Sequence, residues 1–260
     1  TKFALDNLKF LRMNIVVCIS SVPDTTSKIN FTDNGSKFDS IGVQFVINPY
    51  DEFGLTKAMM LKEKTGGKVT IITVGDATVE PVMRKALAIG ADEAIRINMN
   101  ATDSYSTAAE ISNYLKNNPA DLIITGRESI DYNGGAVGGM IAEMMSLPFI
   151  NACIGLVVDG STTKLVREID GGKENILANL PFVIGGQKGL VQESELRIPN
   201  MRGIMQARSK PLQVIEPSEN NGLTSSVSFE KPVEKGACKL VDSDNVAELV
   251  NLLQNEAKVI

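Results

Sequence analysis

The feature that most constrains the fold is an alternation of two kinds of segment. Short, continuous apolar runs rich in Val and Ile occur at NIVVCIS (14–20), VTIITV (69–74), EAIRIN (93–98) and DLIIT (121–125), and the stretches between them have helical period. A run that is apolar at every position, rather than at every second one, belongs to a strand buried on both faces. The stretches between are long enough for crossover helices, so the pattern predicts an α/β fold whose parallel sheet is covered on both sides.

Local signals place the helices. Asn48 is expected to cap a helix that starts at Pro49, with Leu55, Ala58, Met59 and Lys62 on one face and Gly66 and Gly67 closing it. After Asp76 a second helix carries Val79, Val82, Met83, Ala86 and Leu87 on one face and stops at Gly90. From about residue 150 the rhythm changes to the strand-like pieces CIGLVV, KLVREI, KENILANL and PFVIGG, which predict an antiparallel excursion and a return to the sheet. Residues 215–240 are rich in Ser, Asn, Pro and Gly and read as an extended arm. The final pattern of Val246, Leu249, Val250 and Leu253 predicts an amphipathic helix that must bury its stripe, on a partner or on its own domain.

The residue inventory excludes several kinds of chemistry. With no histidine and three scattered cysteines (Cys18, Cys153 and Cys238), the usual zinc and haem ligand sets are missing, as is any mechanism that needs an imidazole. A formal charge of −5 and the lack of a basic run argue against nucleic acid as a partner. No apolar run is long enough to span a bilayer, which predicts no direct membrane insertion, and free cysteines in apolar runs point to a reducing cytoplasm. Residue 1 is not Met, whereas Met13 directly precedes the first strand; residues 1–12 are expected to be a cloning scar or an upstream extension.

In an open parallel sheet, ligands sit beyond the carboxyl ends of the strands. Three loops in that position are polar or glycine-bearing: ISSVPD, VGDAT and, above all, GRESIDYNGGAV (126–137). In the last, Gly134 and Gly135 let backbone approach a ligand, and the helix that follows presents free N–H groups suited to a phosphate or another anion. The turn lacks GxGxxG and GxxxxGK[ST], which disfavours NTPase chemistry, and a plain connector with Asp131 and Asn133 as helix caps is the competing reading.

Taken in order, VVCISSVPD, NPYDEFGLTKAMMLKE, VGDATVEPVMRKALAIGADEAIRI, DLIITGRESIDYNGGAVGGMIAE, VREIDGGKE and GIMQARSKP resemble the beta subunit of electron transfer flavoproteins. The likeness covers roughly residues 13–215. It implies a three-layer, Rossmann-type, HUP-like adenine-nucleotide-binding domain over 13–215, with residues 216–260 as a C-terminal arm and helix contacting an alpha subunit. It further implies a structural AMP in this chain and a redox-active FAD shared with the alpha subunit. Electrons would pass from acyl-CoA dehydrogenase type flavoenzymes, as in fatty acid β-oxidation, to a quinone oxidoreductase, with this chain a carrier subunit rather than an enzyme. The alternative within the resemblance is a bifurcating subunit that holds a second FAD in place of AMP and oxidises NADH.

By position, the resemblance assigns nucleotide contacts to Cys18, to Asn48, Pro49, Tyr50 and Asp51, and to Val74 and Gly75. It adds Gly126, Arg127, Glu128, Ser129, Ile130, Asp131, Tyr132, Asn133, Gly134, Gly135, Ala136 and Val137. Ala136 and Val137 stand where the family commonly has Gln followed by Thr or Val, which leaves only backbone donors for a phosphate. Arg167 and Glu168 are assigned to the subunit interface, against the alternative of a solvated ion pair on a strand. Arg197 and Met201 are assigned to the loop that docks partner dehydrogenases, with Met201 either an apolar anchor or an ordinary helix-start residue.

Overall fold

A computed structural model describes residues 12–159, 162–218 and 222–260. The expected scar or upstream extension therefore lies outside the described residues except for Arg12. The chain opens with β1 (Met13–Cys18), followed by two small pairs, β2 (Ser21–Pro23) with β5 (Phe45–Ile47) and β3 (Phe31–Thr32) with β4 (Lys37–Phe38). Then come α1 (Pro49–Thr65), β6 (Gly67–Val74), α2 (Glu80–Ile89), β7 (Glu93–Ile97), α3 (Ser104–Asn117), β8 (Leu122–Gly126) and α4 (Val137–Met145). The antiparallel excursion is β9 (Phe149–Asp159), β10 (Thr162–Ile169) and β11 (Gly172–Asn179), and β12 (Phe182–Gly186) returns to pair parallel with both β8 and β9. After α5 (Met201–Ala207), β13 (Leu212–Ile215) adds a parallel edge to β7, and the chain ends in α6 (Val246–Asn251).

The main sheet has nine strands in the order β11-β10-β9-β12-β8-β1-β6-β7-β13. The first strand lies inside the sheet. From β1 the chain winds outward through β6 and β7, then crosses back to β8 on the other side. Strand order therefore reverses between β1 and β8, and a crevice opens there because the flanking crossovers leave to opposite sides.

The two faces of β1 explain its sequence. Ile15, Val17 and Ile19 pack with α1 and α2 residues such as Leu55, Met59, Met83 and Leu87, whereas Val16 and Cys18 pack with Ile111, Leu115 and Ile141 of α3 and α4. A strand with helices on both sides is apolar along its covered length, as β1 is from Ile15 to Cys18. Gly66 caps α1 through its N–H to Lys62 O, but Gly67 is already the first residue of β6. At Gly67 φ is +111°, and a Cβ there would lie 2.2 Å from Met13 O, so only glycine lets β6 start this close to β1.

Two expectations are corrected. Asn48 precedes Pro49 but its side chain makes no cap; it is drawn instead to Asp51 and to the loop after β8. Asp131 and Asn133 do not cap α4, because Ser129 and Gly134 pair across a tight turn that separates them from the helix. Of the stripe expected on the terminal helix, Val246, Leu249 and Val250 are exposed and Leu253 is half-buried, and α6 passes into a π-helical turn at Leu252–Glu256.

Candidate functional site

A cavity of about 490 Å³ sits at the reversal point, beyond the carboxyl ends of β1, β6 and β8. Of the residues assigned from sequence, Cys18, Asp51, Val74, Gly126, Arg127, Glu128, Ser129, Asp131, Tyr132, Gly134, Gly135 and Val137 line it. Asn48, Pro49, Tyr50, Gly75, Ile130, Asn133 and Ala136 do not form its surface.

Several of these hold the wall from behind. Asn48 is 1% exposed and donates to Asp51 Oδ1 (3.0 Å) and Glu128 O (2.8 Å), while its Oδ1 accepts from Ile130 N (3.3 Å). One amide thus ties the start of α1 to the glycine-rich turn 80 residues away in sequence. A Cβ on Gly126 would meet Asp51 Oδ1 at 2.3 Å and Tyr50 Cβ at 3.0 Å, so the absence of a side chain there lets β8 close onto the α1 turn. Gly75 has both backbone groups engaged, donating to Ile97 O (3.0 Å) and accepting from Arg96 Nη1 (3.0 Å). Asn133 adopts left-handed φ (50°), which makes the tight turn possible.

Helix α4 begins at the cavity. Ala136 occupies its N-cap position without a side-chain cap, and Met140 N donates to Ala136 O (3.0 Å) as the first helical bond. Val137 and Gly138, at the cavity surface, therefore sit in a first turn whose N–H groups have no acceptor further back in the helix. The helix dipole adds roughly half a positive charge at this end. A Cβ on Gly138 would meet Thr125 Oγ1 at 2.6 Å, so the helix start presses directly on β8.

Four carboxylates and one guanidinium also face the cavity, and hydrogen bonds account for most of the charge. Asp51 is 2% exposed; Ser20 N donates to its Oδ2 at 2.7 Å, and burial pushes its pKa up to about 7 against the opposing effect of hydrogen bonds from Ser20, Asn48 and Gly126. Asp103 caps α3 by accepting from Ser106 N (2.8 Å), and its carboxyl is held far below the usual carboxylate range by that bond and by further backbone donors. Asp131 accepts from Ser129 Oγ and from Tyr132 N. Arg127 Nη1 donates to Gln187 Oε1 (3.0 Å), and Gln187 in turn donates to Glu168. The Cys18 thiol is pushed strongly upward by burial and by Asp51, which makes it a neutral wall residue rather than a nucleophile.

The lining also has an apolar part, contributed by Ile72, Val74, Val79 and Ile111. Sequence reasoning missed Asp103, Ser104 and Thr107 on the α3 turn, and Thr224, Ser225 and Ser226 from the arm. The first group carried a usable signal: Asp103 followed by Ser106 forms a capping box ahead of the buried Ala108, Ile111 and Leu115. The arm residues carried none, since only the tertiary fold brings them here. Among the described residues no cluster of His, Cys, Asp and Glu is arranged to hold a metal ion.

The residues assigned to partner contact lie elsewhere. Arg167 and Glu168 do not pair with each other: Arg167 bonds its cross-strand neighbour Glu174, and Glu168 bonds the buried Gln187. Arg197 makes a two-pronged bond to Glu63 (2.7 and 2.6 Å), which ties its loop to α1. Met201 begins α5 and is 75% exposed beside Ile198 and Met205, which are also exposed.

Helices on both faces of a mostly parallel sheet, with a crevice at its reversal point, define a Rossmann-like α/β protein. Residues 37–220 match the family model for the electron transfer flavoprotein domain. The chain is 36% identical to the electron transfer flavoprotein subunit beta of Bacillus subtilis, an alignment covering 95% of this chain and 100% of that protein. It is 30% identical to the subunit beta of Syntrophomonas wolfei over 96% of this chain and 99% of the relative. The subunit beta of Thermoanaerobacterium thermosaccharolyticum is 33% identical over 76% of each chain. This chain belongs to the electron transfer flavoprotein beta-subunit family.

Proposed function

We propose that this chain is the beta subunit of a heterodimeric electron transfer flavoprotein, and that its reversal-point cavity holds AMP. The observation that carries the reading is the pairing of an uncapped helix start with an apolar wall inside one cavity. The volume falls in the range of roughly 300–1,000 Å³ usual for small-ligand sites. The phosphate would sit on the backbone N–H groups of Val137 and Gly138 with the Thr125 hydroxyl nearby; the purine would lie against Val74, Val79 and Ile111. A carboxylate whose pKa burial raises to about 7, as at Asp51, carries less negative charge near neutral pH than an ordinary one and so repels a phosphate less.

AMP would be structural, and the FAD shared with the alpha subunit would supply the redox chemistry when bound. This chain's part is to orient and enclose, as a carrier rather than a catalyst. The exposed Ile198, Met201 and Met205 suit docking of acyl-CoA dehydrogenase type donors, with a quinone oxidoreductase as acceptor. Exposed apolar positions of α6 and of the β9-β10-β11 excursion, such as Leu249 and Leu177, suit the alpha subunit. No helix among the described residues is long and apolar enough to cross a membrane.

One observation favours a second reading. A neighbouring apolar cavity of about 540 Å³, walled by Phe31, Phe38, Phe45 and Phe229, shares Ser21, Asp131 and Tyr132 with the first and offers room for a larger ligand, a second FAD. Denaturing the purified heterodimer and identifying the released molecules by mass spectrometry separates the readings. One AMP and one FAD per heterodimer is the expected result; two FAD and no AMP would replace the AMP reading by the bifurcating one.

A further inference from the structure

The arm does more than leave the domain. After β13 it turns back over the carboxyl ends of the strands, where Thr224, Ser225 and Ser226 form part of the cavity wall. It is fastened on both sides of that point. On one side, Leu223 N and Thr224 N donate to Asp103 Oδ2 at 2.7 and 2.9 Å. On the other, Phe229 N donates to Gly35 O (2.7 Å), and the Phe229 ring stacks on Phe31 with centroids 5.2 Å apart and planes 11° from parallel.

Between these fastenings the segment has no secondary structure and buries little of itself: Leu223 is 72% and Val227 84% exposed. A segment held by two small anchors, with no core of its own, opens at far lower free energy than the sheet does. Three consecutive residues with hydroxyls also face a cavity whose helix start offers only backbone donors, since Ala136 brings no polar side chain.

We propose that residues 222–231 are a strap across the nucleotide cavity: Thr224, Ser225 and Ser226 complete the binding site, and detachment at the Phe31–Phe229 stack is the step that lets a nucleotide leave. This rests on the reading that the cavity holds a nucleotide. Asp103 is the inner anchor, capping α3 and clamping the strap with one carboxylate, so strap position is tied to a rigid element of the cavity. Lys231 Nζ, bonded to Asn30 Oδ1 (2.8 Å), closes the outer end.

The test uses the full chain in its heterodimer, loaded with labelled AMP and chased with unlabelled AMP. Losing the aromatic stack, together with its buried area, predicts that Phe229→Ala releases AMP about tenfold faster. A parallel measurement needs no variant: AMP should slow hydrogen exchange at the Leu223, Thr224 and Phe229 amides of the wild-type heterodimer. If AMP loads but Phe229→Ala releases it at the wild-type rate, or these amides exchange equally with and without AMP, the strap is refuted and the nucleotide reading stands. A wild-type heterodimer that retains no labelled AMP refutes both.

Discussion

Asp51 is the residue where fold and site conflict. A carboxylate 2% exposed, with hydrogen-bond donors converging on it, still has its pKa moved from 3.8 to about 7, because burial outweighs those bonds. The sign of the stability effect follows from proton counts. Below about pH 4 both folded and unfolded states hold the proton. Between about 4 and 7 the unfolded chain has released it and the folded chain has not, so stability falls as pH rises through that window and levels off above it. Unfolding of the wild-type chain, followed by denaturant titration from pH 4.5 to 7.5, should therefore decline more steeply with pH than that of Asp51→Asn, which cannot titrate. Parallel profiles would mean that the carboxylate ionises normally. Asn48 shows why such detail is hard to read in advance. Its place before Pro49 signals a cap, but its amide is recruited by a loop 80 residues distant, a contact that no local pattern encodes.

At the scale of elements, legibility follows burial and length. Strands β1, β6, β7 and β8 are evident in the sequence because each is buried over most of its length and carries a compact Val/Ile/Leu-rich stretch, even where polar residues such as Thr70, Arg96 and Thr125 are buried with it. The excursion β9-β10-β11 announces itself by its turn at Gly171 and Gly172 and by its alternating burial. By contrast β2 to β5 have two or three residues each, too few to show a period, and β13 is a four-residue edge strand recognisable only by its pairing with β7. The terminal helix is legible as amphipathic, and most of its stripe stays exposed on this chain. Leu249 is 45% and Val250 39% exposed, and neither is buried in the core. The double substitution Leu249→Asp and Val250→Asp should leave the unfolding free energy of the isolated chain within about 0.5 kcal/mol of wild type, as expected for surface sites. The same change should weaken association with the alpha subunit at least tenfold, since burying two unpaired carboxylates at an interface is strongly unfavourable. Sedimentation of mixtures of the two subunits reads the second effect; unchanged association would remove α6 from the interface.

Over the whole molecule, the buried core and the exposed arm occupy different parts of the chain. Every buried apolar residue among those described lies between Met13 and Ala207, and β13 completes the sheet at Ile215. Beyond residue 221 no described residue is buried, and the segment is held by a few hydrogen bonds and a single aromatic stack. A chain ending at Ser218 should thus keep the nine-stranded sheet and both apolar clusters that flank it. The lost fastenings, a few exposed hydrogen bonds and one half-buried aromatic stack, amount to about 2 kcal/mol, which in a domain of this size lowers the melting temperature by roughly 4–8 °C. Calorimetry of the shortened and full-length chains measures this directly. A fall beyond about 10 °C would show that the arm belongs to the cooperative fold, because a shift that large requires several kcal/mol of lost burial. Near-equal melting, together with loss of binding to the alpha subunit, would place the arm wholly on the side of assembly and ligand retention.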